Sequence, residues 1–176
     1  MWPSNEDFNS AGTDDDIFFS RSTDNGTTWG PSQLLSSNAA TDGSDKDWHP
    51  VLMTDGEGTW IAAWNYEDGA TDFDIQFARS TNGGESWSAP QALNSNAAQD
   101  TGLLATGWDI RPILLPYGAD SWTAVWQSNE DVNGVETDDD IFFCRSANGG
   151  VSWGASQALN SNAATDTGDD MFGDFD

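Results

Sequence analysis

The sequence predicts an all-β protein assembled from repeated four-stranded antiparallel blades. Three observations carry that prediction. An eight-residue motif occurs three times, as Ser22-Thr-Asp-Asn-Gly-Thr-Thr-Trp29, Ser80-Thr-Asn-Gly-Gly-Glu-Ser-Trp87 and Ser146-Ala-Asn-Gly-Gly-Val-Ser-Trp153. Each copy follows a run of the form Thr-Asp-x-Asp-Ile-x-Phe-x-Arg, at residues 13–21, 71–79 and 137–145. No segment carries apolar residues at helical spacing, whereas β-branched and aromatic residues between Gly- and Asp-rich breaks fit strands throughout. The octets start 58 and then 66 residues apart (80 minus 22, 146 minus 80), and a repeat of that length cannot bury its apolar face alone, so it stacks on its neighbours.

Laid over one another, the copies give a unit of four strands. The first runs over 49–53 and 111–115, the second over 59–64 and 121–126. The Asp-Ile-x-Phe run is the third, and the fourth is expected to start at the Trp of each octet and end at Leu35, Leu93 or Leu159. Trp2-Pro-Ser-Asn-Glu-Asp7 matches Trp126-Gln-Ser-Asn-Glu-Asp131, so residue 2 falls at the end of a second strand. The organisation read from these matches is a half-blade and connector at 1–43, a blade and connector at 44–106, a blade at 107–160, and a connector toward a next blade at 161–176.

Within each octet the chemistry is that of a tight turn. Gly26, Gly84 and Gly150 supply the positive φ that such a turn needs. Asp24, Asn82 and Asn148 have short side chains able to accept hydrogen bonds from turn amides, and Ser22, Ser80 and Ser146 open the motif. Trp29, Trp87 and Trp153 are expected to fold back over the turn as apolar plugs.

The octet resembles the Asp-box, or bacterial neuraminidase (BNR) repeat, of sialidase-like β-propellers. Ser22 to Trp29 matches the pattern fully, while Asn82 and Asn148 replace its Asp, and Ser86 and Ser152 its Thr. The resemblance implies a segment of about two and a half propeller blades, with octets in outer turns remote from a sialidase pocket. It also implies, for an active sialidase, a triad of Arg, a Tyr nucleophile with a Glu partner, and an Asp acid/base.

Composition narrows the partners. Thirty Asp and Glu against five Lys and Arg give a formal net charge of −25. Phosphate backbones and anionic membrane surfaces both demand the opposite sign, so neither nucleic acid nor membrane is expected. Ten Trp and nine Phe argue for a packed core despite the charge. Cys144 has no disulfide partner and fits a small buried strand residue. The Lys-poor, Asn-, Thr- and Gly-rich style fits an extracellular or cell-surface protein, although residues 1–4 show no signal-peptide pattern.

For catalysis the candidates are dispersed. Arg21, Arg79 and Arg145 share one repeat position and read as structural, each expected to pair with a nearby Asp. Only Arg111, before Pro112, has the look of the first sialidase arginine, which makes it the one candidate ligand-binding residue. Tyr66, Glu67 and Tyr117 are not joined by spacing, and His49 reads as a packed residue before Pro50.

The acidic pairs form a separate lead. Asp14 and Asp16, Asp72 and Asp74, and Asp138 and Asp140 each stand two apart, and Asp42, Asp100 and Asp166 close the connectors. Side chains two apart on a strand leave one face, where hard carboxylates suit Ca²⁺. The other reading has them cap strands and pair with arginine. Function is therefore expected to be non-catalytic, a structural or recognition module with calcium as the possible cofactor and carbohydrate as a possible ligand. The alternatives are part of an exo-sialidase and a self-assembling ring or filament, because two and a half blades leave strand edges and apolar flanks for further blades or other copies.

Overall fold

The computed structural model describes residues 1–8, 11–67, 72–98, 107–118, 120–132, 134–135 and 138–165. Among them there is no helix, and eleven strands form three antiparallel sheets. The first sheet has β1 (Trp2–Ser4), β2 (Asp16–Phe19) and β3 (Gln33–Leu34) in sequence order. The second holds β4 (Lys46–Thr54), β5 (Trp60–Glu67), β6 (Phe73–Ser80) and β7 (Gln91–Ala92), again in order. The third repeats it with β8 (Asp109–Pro116), β9 (Trp122–Ser128), β10 (Asp140–Ser146) and β11 (Gln157–Ala158). Register repeats too: Trp2 opposes Phe18, Trp64 opposes Gln76, and Trp126 opposes Phe142. β1 is therefore a second strand of its blade.

The apolar alternation of β5 explains how blades stack. Successive side chains leave opposite faces, and both faces of this strand are covered. Ala62 and Trp64 point toward the first blade, where they pack with Ile17, Phe19 and Leu35. Ile61 and Ala63, with Ile75 and Phe77, point the other way and meet Leu114, Trp122, Ala124 and Trp126 of the third blade. Complete burial of each large side chain contributes about 1.5–3 kcal/mol, so these two inter-blade cores hold most of the apolar stabilisation. Cys144 lies in the second of them, and burial pushes its thiol up to about 12.

Two expectations are corrected. The fourth strands are two residues long and begin at Gln33, Gln91 and Gln157, so Trp29, Trp87 and Trp153 stand before the strand. The reason is that each indole is used on the turn: a β-carbon on Gly26 would lie 3.9 Å from Trp29 Cζ2, and one on Gly84 3.8 Å from Trp87 Cζ2. The first strands are longer than expected and carry a register shift between Trp48 and Val51 and between Ile110 and Ile113. There His49 and Arg111 adopt φ of 49° and 57°. Each precedes a proline that cannot donate to the ladder, which makes a bulge the natural solution.

Candidate functional site

Each octet is a closed hydrogen-bond circuit. Ser22 Oγ accepts from the Gly26 amide and donates to Asp24 Oδ1, both at 2.8 Å. Asp24 then accepts from the Thr28 hydroxyl at 2.6 Å and the Thr28 amide at 2.8 Å, which holds its carboxyl down to about 2. In the later octets the amide Nδ2 of Asn82 donates to Ser86 Oγ, and that of Asn148 to Ser152 Oγ, each at 2.8 Å. The double replacement of Asp by Asn and Thr by Ser thus reverses the donor and keeps the circuit.

Octets also hold blades together. The Nε–H of Arg21 donates to the carbonyl of Gly83 in the next blade at 2.8 Å, and that of Arg79 to Gly149 at 2.5 Å. Beside each staple an aromatic pair crosses the joint edge to face. Phe19 and Trp87 have centroids 5.9 Å apart, and Phe77 and Trp153 5.8 Å. The expected pairing of these arginines with aspartates is therefore corrected. Among the described residues the one ion pair is Lys46–Glu67, at 3.3 Å. A turn carbonyl of the neighbouring blade wins because Arg sits one residue before its own octet, so arginine and octet of successive blades fall level. Arg145, at the same position of the third blade, is exposed and lies over its own strand's Phe143 ring at 5.2 Å.

The acidic pairs fall at the opposite end of the third strands, where each strand begins. Asp16 is 2% exposed and accepts from Ser36 Oγ at 3.1 Å, while Ser36 also accepts the Ile17 amide. Asn94 bridges Asp74 and the Ile75 amide in the same way, and Asn160 bridges Asp140 and the Ile141 amide. Asp14, Asp16 and Asp42 form a cluster in which one oxygen of each lies within 4.8 Å of the others. Buried within it, Asp14 Oδ2 and Asp42 Oδ1 have no hydrogen-bond partner, nor has Asn38 Oδ1, whose amide donates to Asp42. Asp47 adds to the field; it is 2% exposed, with Oδ1 on the Trp64 indole at 2.7 Å and Oδ2 without a hydrogen bond. Burial, reinforced by the neighbouring carboxylates, raises Asp16 to about 7 and Asp47 to about 8, and raises Asp42 too. Sequence reasoning missed Asp47, although Asp109 repeats it in the third blade with its own bond to Trp126, at 2.5 Å. Asp72, Asp74, Asp138 and Asp140 occupy the matching positions, but Asp100 and Asp166, which would complete their clusters, lie outside the described residues.

Of the catalytic candidates, none meet. The Tyr66 hydroxyl donates to Asp45 at 2.5 Å, Glu67 bonds Lys46, and Tyr117 is 85% exposed. Arg111 donates its backbone amide to Asn65 Oδ1 at 2.9 Å, and the Asn65 amide approaches His49 Nδ1 at 3.4 Å. Asn65 thus ties the two bulges together.

A further feature is a cleft of about 180 Å³ between the first two blades. Trp29, Trp60 and Trp87 line it with Phe19, Leu52 and Arg21. Trp29 is 65% exposed. Its third indole, Trp60, starts a second strand, and nothing in the repeat alignment distinguished it from its buried counterpart Trp122.

Among solved structures the chain is similar to Hadza microbial sialidase Hz136, with 22% sequence identity and a TM-score of 0.51 over 79% of this chain. It spans 30% of that sialidase's length. At this identity the likeness establishes the fold, a sialidase-like propeller segment. No protein-family model matches the chain, and no curated protein matches it.

Proposed function

We propose that this chain is a non-catalytic, extracellular propeller module that recognises a neutral glycan at the cleft between its first two blades, with calcium stabilising the acidic cluster at the start of the first blade's third strand. The observation that carries the reading is the cleft itself. Three indoles with an aliphatic and an arginine side chain offer flat apolar faces and polar tips, which suits the C–H face and hydroxyls of a pyranose ring. A net charge of −25 disfavours acidic sugars. Two of the repeat-position arginines are spent on staples, which also weighs against a carboxylate-gripping triad.

Calcium fits the acidic cluster by size. Oxygens of one Ca²⁺ shell, each about 2.3–2.6 Å from the ion, lie at most about 5 Å apart, and the Asp14, Asp16 and Asp42 oxygens fall within 4.8 Å. The buried oxygens of Asp14, Asp42 and Asn38 that lack hydrogen bonds are the donors such an ion would take. Bound there, its two positive charges would offset two of the three like charges that the carboxylates bring together.

Tryptophan fluorescence under titration with neutral and sialylated oligosaccharides tests the recognition arm. The reading expects saturable quenching by a neutral sugar, lost in Trp60→Ala. Thermal melts in chelator and in millimolar calcium test the other arm. At one hundred times Kd a native-state ligand adds about 2.7 kcal/mol, a shift that Asp42→Asn would abolish. The likeness to a sialidase favours one second reading, part of a hydrolase with Arg111 on the substrate carboxylate. Release of a fluorophore from a sialoside by this chain, abolished in Arg111→Ala, would establish it instead.

A further inference from the structure

The two joints inside the chain define what one blade offers the next, and the outer faces of the first and third blades carry the two unused halves of that contact. On the leading side, each joint uses an arginine and a phenylalanine of the third strand: Arg21 and Phe19, then Arg79 and Phe77. The third blade presents Arg145 and Phe143, whose guanidinium is exposed and rests on its own ring. On the receiving side, each joint uses a left-handed turn residue's carbonyl and a tryptophan: Gly83 and Trp87, then Gly149 and Trp153. The first blade presents Asn25, with φ of 57° against 67° and 68° for those glycines, and Trp29, 65% exposed where Trp87 and Trp153 are half-buried.

Burial tells the same story along the strands. Ile61, Ala63, Ile75 and Phe77, which face the third blade, are 0–4% exposed. Their counterparts on the third blade, Thr123, Val125, Ile141 and Phe143, are only half-buried.

A polar detail distinguishes the end faces from the first internal joint. Between the second and third blades, Ser95 and Ser156 exchange backbone-to-hydroxyl hydrogen bonds, each at 3.1 Å. Pro90 stands at the Ser156 position of the second blade and has no amide to give. The end faces restore the pair: Ser161 repeats Ser95, and Ser32 repeats Ser156, and both are exposed.

We propose that a second copy of this chain docks head to tail on the first, seating its Asn25 carbonyl on Arg145, its Trp29 on Phe143 and its Ser32 on Ser161. The contact is heterologous, so it forms a ring if its rotation closes. The described residues of two copies supply six sheets, three from each, and closed propellers have roughly four to eight blades. Head-to-tail docking does not rest on the glycan or calcium reading, and its test uses neither ligand, although Trp29 also lines the cleft. Its polar bonds end on carbonyls and hydroxyls, while the two chains repel at −25 each. Association therefore strengthens as salt screens that repulsion.

Sedimentation velocity on the purified chain, at micromolar concentration in about 0.15 M salt, tests the proposal. The expected species is a dimer. Arg145→Glu and Trp29→Asp each alter an exposed side chain, and each variant alone should sediment as a folded monomer with an unchanged circular dichroism spectrum. An equimolar mixture of the two should form a heterodimer that does not grow further, because one intact head meets one intact tail. Ser32→Pro, which installs the residue already tolerated at position 90, should weaken the dimer about three- to tenfold without unfolding it. A wild-type monomer at these concentrations would overturn the proposal. So would a dimer unaffected by either charge variant, or a mixture that stays monomeric while both variants remain folded.

Discussion

Adding one methyl group to the third octet probes the joint more cleanly than any large truncation. Gly150 has φ of 78°, and a β-carbon built there would lie 2.2 Å from Ile61 Cδ1 of the preceding blade and 3.8 Å from Arg79 Cδ. Gly26 has nearly the same φ, 81°, but its nearest contact would be Trp29 Cζ2 of its own turn, at 3.9 Å. Gly26→Ala therefore costs only the left-handed strain of an L side chain, about 1–2 kcal/mol. Gly150→Ala carries that strain and an overpacked joint worth about 1–3 kcal/mol more, a total of about 2–5 kcal/mol. Urea denaturation of both variants in dilute protein, where copies are apart, gives the two losses directly. In thermal melts each kcal/mol should appear as about 2–4 °C for a chain of this size. Equal losses for the two variants would refute the reasoning, because the atoms that the added methyl meets on the neighbouring blade are present only at Gly150.

Two other outcomes follow from buried charge and from backbone strain. Asp16 and Asp47 are raised in the folded state to about 7 and about 8 from 3.8, so the folded protein holds protons that the unfolded chain has released. Their contribution is greatest below pH 4 and falls as pH rises toward 8. In chelator the melting temperature should thus be higher at pH 5 than at pH 8, and a rise over that interval would contradict it. Arg111 holds φ of 57°, so Arg111→Gly should be more stable than Arg111→Ala by about 1 kcal/mol in urea, since only glycine escapes the left-handed penalty.

Much of the fold could be read from the chain because its information is local. The Asp-Ile-x-Phe runs and the octets are contiguous, and each specifies a strand or turn by its own residue types. The match of Trp2 to Trp126 placed β1 in its blade for the same reason. What escaped reading was set by contacts across joints. The partner of Arg79 is the carbonyl of Gly149, seventy positions on, and a backbone acceptor leaves no mark in a sequence. Aspartate pairing was the natural guess in so acidic a chain, yet Asp16, Asp74 and Asp140 are held by Ser36, Asn94 and Asn160. Of the acidic site, Asp14, Asp16 and Asp42 were legible as repeated pairs and connector ends. Asp47 was not, because it lies at the start of a first strand and joins the cluster only when that strand packs against the preceding blade. The cleft was hidden likewise: its residues come from both blades.

The octet of each blade docks on the third strand of the blade before it. A double-mutant cycle on Phe77 and Trp153 reads that docking out, since these rings meet edge to face at 5.8 Å and 74° across a joint. Stabilities of Phe77→Leu, Trp153→Leu and the double variant, measured by urea denaturation, yield their coupling. The expected coupling is favourable, about 0.5–1.5 kcal/mol. Losses that simply add, within about 0.3 kcal/mol, would contradict it.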